Sequence, residues 1–162
     1  MYFSKLPYKV FDIQGTNFLL TDILTRIIPS KELKENLTLY EMYNVKDGET
    51  PEMVANNFYG NTGYHWVLLL VNDITRVWDQ WVLPYNVLSD YVISKYGKDN
   101  IYDVHHYYDS EGYIVNQENS VGSVSNLEYE TEENEKRRYI RVLNPLLLSA
   151  FVKEFENLVK GE

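Results

Sequence analysis

The 162 residues include no cysteine, which excludes disulfide staples, zinc ribbons and CxxC redox chemistry and is compatible with a reducing compartment. No apolar run approaches the ~18 residues of a membrane span. Residues 1–10, with Lys5, Pro7 and Lys9, lack the apolar core of a secretory leader. A soluble intracellular product is expected on those grounds. No G-x-x-x-x-G-K-[ST], G-x-G-x-x-G or G-x-S-x-G stretch occurs, and the eight glycines are dispersed at turns, so the sequence offers neither a phosphate cradle nor a nucleophile elbow. Cations are also scarce. Fifteen Lys and Arg against 24 Asp and Glu give a net charge of −9 and a pI near 4.8. That balance argues against affinity built on phosphate contacts, and so against nucleic acid as partner.

What the sequence has in excess is aromatic side chains: 15 Tyr, 6 Phe and 3 Trp. Tyr and Trp join apolar area to a hydrogen-bonding tip, a combination enriched in interface cores, and the simpler reading is a Tyr-rich core with wet rims. The length suits one compact domain, or a small domain with appendages, without any metal needed for stability.

Period and punctuation predict an α+β chain. Residues 1–15 read as an extended arm. Phe18, Leu19, Ile23, Leu24 and Ile27 have helical spacing from Thr16 up to Pro29. Leu37 to Val45 alternates like a strand that ends at Lys46-Asp47-Gly48. Thr50-Pro51 is a cap followed by N1 proline, opening a helix with Val54, Ala55 and Phe58 inward and Gly60 as its stop. Tyr64 to Val71 reads as a second, almost wholly apolar helix, and Leu88, Val92 and Tyr96 before Gly97 as a third. Ile101 to Tyr108 and Tyr113 to Asn116 suggest a hairpin about Asp109-Ser110-Glu111-Gly112. Residues 116–126 read as a loop, Tyr139 to Leu143 as a strand, and Asn144-Pro145 opens an amphipathic terminal helix carrying Leu148, Phe151, Val152, Phe155 and Val159.

Chemistry-bearing clusters are sparse. Adjacent residues on a strand point to opposite faces, so His105 and His106 are not expected to chelate together, and His65 stands alone; no metal site and no cofactor site is expected. Glu132, Glu133 and Glu135 with Asp103 or Asp109 could supply an acid and a base. The run from Glu128 to Arg138 is better read as a solvated, internally paired face. The sequon at Asn36-Leu37-Thr38 reads as a chance match in the absence of a leader.

One segment, YNVKDGETPEMVANNFYGNTGYHWVLLLVNDI from Tyr43 to Ile74, is similar to a LysM-type βααβ module. The matching positions are Tyr43, Val45, Gly48, Glu49, Thr50, Val54, Ala55 and Asn72. Each also has a local purpose: Gly48 for a tight turn, Thr50 as cap, Val54 and Ala55 for close helix approach. The segment departs from ordinary LysM repeats by inserting Tyr59-Gly60-Asn61 with Tyr64, His65 and Trp66, and by lacking a clear closing strand.

With that insertion the phrase F-Y-G-N-x-x-x-H-W-V-L-L-L-x-N, followed by a W-x-L-P loop, resembles the LysM-like baseplate wedge protein fifty-three family of T-even-like contractile-tail bacteriophages. The N-terminal Tyr2-Phe3-Ser4-x-Leu6-Pro7, the phrases Glu128-Tyr129-Glu130 and Asn134 to Ile140, and the terminal helix agree with it in order. The resemblance implies an α+β fold with a central module over about 39–83 inside a mainly helical stretch 16–97, an arm 1–15, and a hairpin-plus-helix stretch 98–162. It implies a non-enzymatic virion component of the tail baseplate, assembled in the host bacterial cytoplasm. Its partners would be other wedge and tail proteins in a six-fold hetero-oligomer, with no nucleic acid, membrane or small-molecule substrate.

Candidate contacts are Tyr2, Phe3, Leu6, Pro7 and Tyr8 in the arm, whose bland alternative is a strand tucked onto its own domain. Trp78, Trp81 and Tyr85 join them, because three large aromatics near Pro84 are hard to bury in a small core. Arg137 and Arg138 could meet an acidic partner or simply balance Glu132 to Glu135. Tyr64, His65 and Trp66 read as core anchors. A glycan-binding LysM module is the alternative function, weakened by the missing leader and the single degenerate motif; a carboxylate hydrolase has no feature in its favour.

Overall fold

A computed structural model describes residues 5–23 and 36–160 of the chain. They form two compact units, each assembled from separated segments: the described residues up to Tyr43, Glu49–Thr75 and the described residues from Ile140 on in the first, Asn44–Gly48 and Arg76–Tyr139 in the second. The mixture of helices and small sheets is α+β.

The first unit opens with an antiparallel hairpin, β1 (Tyr8–Ile13) and β2 (Thr16–Thr21), in full register from Tyr8↔Thr21 to Ile13↔Thr16. The helix expected from Thr16 is therefore corrected to a strand as far as Thr21; its remainder, from Leu24 to Pro29, lies outside the described residues. The reason is turn chemistry. Gln14 and Gly15 both hold positive φ, 54° and 81°, as a two-residue hairpin turn of primed type requires, and the Gly15 N–H donates to Asp12 Oδ1 at 2.8 Å. A two-residue turn that matches strand twist outweighs an i, i+4 apolar spacing.

The strand expected from Leu37 starts later. Asn36 accepts from the Thr38 N–H and hydroxyl at 3.2 and 2.6 Å, winding Leu37–Leu39 into a 3-10 turn before β3 (Tyr40–Asn44). Helix α1 (Pro51–Tyr59) has the Thr50 cap and the Gly60 stop at φ 67° that the sequence predicts. A 3-10 turn then leads into α2 (His65–Val71). The closing strand that the sequence does not reveal beside α2 comes from far along the chain: β7 (Tyr139–Leu143) pairs with β3. The Asn144 N–H adds a bond to the Leu39 carbonyl at 2.9 Å.

The terminal helix α6 (Leu148–Lys160) completes this unit. Its Phe155 and Val159 pack with Trp66, Val67 and Val71 of α2, Leu143 of β7, and Leu6. The apolar stripe of α6 thus finds the almost uniformly apolar α2, which explains why α2 can lack a polar face.

In the second unit a single helical turn, α3 (Val77–Gln80), precedes α4 (Tyr85–Tyr96), which buries Leu88 and Val92 and ends at Gly97 as expected. The hairpin predicted about residues 109–112 is present as β4 (Val104–Tyr108) and β5 (Ile114–Val115). The loop expected over 116–126 is partly a strand. β6 (Gly122–Ser125) pairs with the other edge of β4, giving a three-stranded sheet in the order β5-β4-β6. Its residues, GSVS, are small and polar, a composition that reads as loop until a neighbouring strand supplies the ladder.

Ser125 then caps α5 (Asn126–Lys136) in a full capping box with Glu128. The acidic run is therefore a helix with an inward polar stripe, since Asn126, Glu130 and Asn134 are all buried.

Candidate functional site

In the first unit the expected motif residues are used to build the fold. Val54 and Ala55 are fully buried. The Tyr43 hydroxyl donates to Glu49 Oε2 at 2.8 Å while its ring meets Phe58 edge-on at 5.0 Å. The Tyr59 hydroxyl donates to the Leu143 carbonyl at 3.1 Å, and burial pushes that phenol well above its ordinary pKa. His65 Nδ1 lies 2.9 Å from the Thr62 carbonyl. Trp66 is buried against Phe155 and Phe151, at ring separations of 4.7 and 6.4 Å, as a core anchor.

Asn72 does the work of a strand. Its Nδ2 donates to the carbonyls of Leu68 and Arg141, and its Oδ1 accepts from the Arg141 N–H, each at 2.8 Å. Aspartate could only accept, and would set a carboxylate against two carbonyl oxygens. Asn72→Asp is expected to lower the stability of this unit by about 2 kcal/mol in urea denaturation.

The hairpin groups much of the apolar surface this unit exposes, although Leu146, Met42, Met53 and Leu158 are exposed elsewhere. Tyr8, Val10, Leu19 and Ile23 are each more than half exposed, with Ile13, Phe18 and Leu20 close behind. Val10 lies opposite Leu19 and Phe11 opposite Phe18, so both faces of the ribbon carry apolar side chains. A two-stranded ribbon of this kind is marginal in water by itself.

Its base is fixed. Leu6 is buried in the core, Lys5 pairs with Glu156, and the Asp22 N–H donates to the Pro7 carbonyl at 2.8 Å. Leu6, expected in the free arm, is thus corrected to an anchor, because seating it beside Trp66 and Phe155 removes an exposed leucine from water. Tyr2 and Phe3 lie outside the described residues.

In the second unit the three expected aromatics part company. Trp78 and Tyr85 are 76% and 73% exposed, whereas Trp81 is 5% exposed. The reading that all three are too large to bury is corrected for Trp81. The α3 turn, stapled by Arg76–Asp79 at 2.7 Å and by the Trp81 N–H to the Val77 carbonyl at 2.9 Å, turns Trp81 inward and Trp78 outward. Tyr85 borders a small pocket of about 90 Å³ with Leu88, Val92, Ile101 and Tyr102. Arg138 is held inside the unit: its Nε and Nη2 fork onto Glu135 at 2.7 and 2.6 Å, and Nη1 donates to the Val45 carbonyl at 2.8 Å. Arg137, beside it, is half-buried.

The residues that the sequence reading missed lie on the inward stripe of α5. Asn134 Oδ1 accepts from the Leu83 N–H at 2.8 Å and its Nδ2 donates to the Leu83 carbonyl at 2.9 Å, clamping the W-x-L-P loop. Glu130 Oε1 accepts from Lys95 Nζ at 2.5 Å and from the Tyr96 hydroxyl at 2.8 Å. Burial opposes ionisation of Glu130, but these two donors outweigh it and hold the carboxyl below its ordinary range. The signal available was the i, i+4, i+8 spacing of Asn126, Glu130 and Asn134 behind a capping box, which places all three on one face.

The histidines also differ from expectation. A β-bulge between Val104 and His106 brings both rings to one side, with their Nδ1 atoms 2.9 Å apart and His105 stacked on Tyr129 at 3.8 Å. The extra residue of a bulge breaks the strict two-residue alternation. Among the described residues no three His, Asp or Glu side chains gather as a metal-holding group, and no helix is long and apolar enough to cross a membrane.

Two features therefore stand out, an exposed apolar hairpin in one unit and exposed aromatics in the other, and both are the chemistry of protein contact. Comparison with known proteins agrees in kind. Residues 20–120 match the family described as Base plate wedge protein 53. The Baseplate wedge protein gp53 of Enterobacteria phage T4 is 25% identical over an alignment 187 positions long that covers 98% of this chain and 94% of that protein. With most of its length matched in this way, the chain belongs to the base plate wedge protein 53 family.

Proposed function

We propose that this chain is a structural, non-enzymatic part of a phage contractile-tail baseplate. There it joins neighbouring wedge subunits around the tail hub in a six-fold hetero-oligomer put together in the host bacterial cytoplasm. The observation that carries this reading is the match to the T4 wedge protein along nearly all of both chains. The exposed surfaces support it. Covering Tyr8, Val10, Phe18 and Leu19 on a partner would remove apolar area from water at roughly 25 cal/mol per Å². Trp78 and Tyr85 are aromatic anchors of the kind that dominate interfaces. In this reading Tyr2, Phe3, Pro7 and Arg137 are further candidate contacts, while Leu6, Trp81 and Arg138 hold the contact surfaces in place.

The test is co-expression of the tagged full-length chain with the remaining baseplate genes of the same phage, followed by size-exclusion chromatography, mass spectrometry and electron microscopy. The chain is expected to elute in stoichiometric complex with wedge proteins, and its omission to leave wedges that fail to close into baseplates. Normal baseplates formed without it, with the chain eluting alone, would refute the reading. Within that assay Val10→Lys combined with Leu19→Glu, which replaces the exposed apolar rung by an opposite-charge pair that the ribbon tolerates, is expected to weaken co-elution at least tenfold without unfolding the chain.

A further inference from the structure

The sheet and helix of the second unit border an open cleft of about 380 Å³. Its floor is the rung pattern of β4. His106 lies opposite Val124, and Tyr108 opposite Gly122 and Ile114, so these side chains share one face of the sheet. Its wall is the first two turns of α5, where Glu128 and Glu132, four residues apart, both line the cleft. Gly122 is part of the construction. A Cβ there would lie 2.5 Å from the Tyr108 hydroxyl, so only glycine lets the phenol ring lie across that strand.

We infer that this cleft receives an arginine or lysine side chain from a basic segment of a neighbouring baseplate protein. The lining presents two carboxylates, a phenol, an imidazole and the Ser123 hydroxyl, with no Lys or Arg among its residues, so its fixed charge favours a cation over an anion. Cations are scarce in this part of the chain: residues 99–135 hold ten Asp and Glu and not one Lys or Arg, and Lys136, one turn beyond Glu132 and within reach of its charge, is hydrogen-bonded to Glu133. Glu128 already accepts from the Ser125 N–H and hydroxyl, both at 2.8 Å, so Glu132 is the carboxylate placed for an incoming charge. A guanidinium stacked on Tyr108 can fork onto a carboxylate in the same plane, combining cation–π attraction with paired hydrogen bonds. Around the cleft, Tyr113, Ile114 and Val121 are 66%, 73% and 67% exposed, an apolar border suited to the chain that delivers the cation. The partner is thus a basic segment with flanking apolar residues.

This inference rests on the baseplate reading above and is tested on the full-length chain. The probe is the wedge complex reconstituted from the same phage without this chain, titrated at low and moderate salt. Glu132→Lys is expected to weaken binding at least tenfold and flatten its salt dependence, and Tyr108→Ala to weaken it at least fivefold. Glu118→Lys, which makes the same change of charge on an exposed position that does not line the cleft, should stay within twofold of the wild type. Circular dichroism establishes that each variant is folded. Equal losses for Glu132→Lys and Glu118→Lys would overturn the inference in favour of general charge repulsion. Wild-type affinity in both Glu132→Lys and Tyr108→Ala would overturn it outright. Equilibrium dialysis showing Zn²⁺ or Mg²⁺ bound by the wild type and lost in Glu132→Lys, with wedge affinity unchanged, would make it an ion site. Failure of the wild type to bind any wedge complex would instead remove the baseplate reading, and this inference with it.

Discussion

Trp66→Ala is expected to lower the stability of the first unit by about 3–5 kcal/mol, the range for truncating a large buried aromatic. The indole is 4% exposed and stands against Phe155 and Phe151 of α6, in the cluster that also holds Val67, Val71, Leu143, Val159 and Leu6. Its removal leaves a cavity where α2 meets the terminal helix and the residue that anchors the hairpin. These neighbours come from distant parts of the sequence and cannot all collapse into the gap. At about 4–8 °C per kcal/mol for a unit of this size, the thermal midpoint should fall by more than roughly 10 °C. Trp66→Phe, which keeps a ring in the site, should lose less than half as much. Equal loss in both variants would show that the effect is not one of filled volume.

The second large effect is expected at Glu130. Its carboxylate side chain is 5% exposed, and Lys95 and Tyr96 of α4 both donate to it. Breaking a fully buried ion pair costs about 3–5 kcal/mol. Lys95 is 43% exposed and regains water when its partner is removed, so Glu130→Ala is expected to cost about 2–3 kcal/mol. A double-mutant cycle with Lys95→Met separates the pair from the packing of α5 on α4.

The pH dependence follows from the direction of each shift. Glu130 is held below its ordinary value, so its contribution is present above the unfolded carboxyl pKa, about 4.3, and is lost as pH falls through the lower folded value. Lys95 is held above its ordinary value, chiefly by its hydrogen bond to Glu130. Its contribution is present below the unfolded amine pKa, about 10.4, and is lost as pH rises through the higher folded value. Acid unfolding of the second unit should accordingly be shallower in Glu130→Gln, and a chemical-denaturation series between pH 3 and 7 measures it.

Features carried by a few adjacent residues were legible in the sequence. Thr50-Pro51 and Gly60 delimit α1, Gly97 ends α4, and Asn144-Pro145 starts the turn before α6, because a cap or stop acts through its own side chain and backbone. The amphipathic period of α6 and the apolar run of α2 announced two halves of one core before either partner was known. The family resemblance was legible for a related reason, since its phrase from Phe58 to Asn72 lies in one contiguous stretch.

Tertiary structure alone decided what those segments meet. The partner of β3 is β7, about a hundred residues on, and no local signal marks it; its selection depends on α2 and α6 burying their apolar faces between them. The polar stripe of α5 turns inward only because Lys95, Tyr96 and the Leu83 backbone are there to satisfy it. The bulge at His105 and the burial of Trp81 with Trp78 left outside are settled likewise, by the rungs of β4 and the single turn of α3. Caps, turns and periods depend on neighbours in the chain, and so the sequence by itself determined the elements. Which surfaces are covered depends on neighbours in space, and so the tertiary structure decided which apolar side chains this wedge-family protein leaves exposed for a partner.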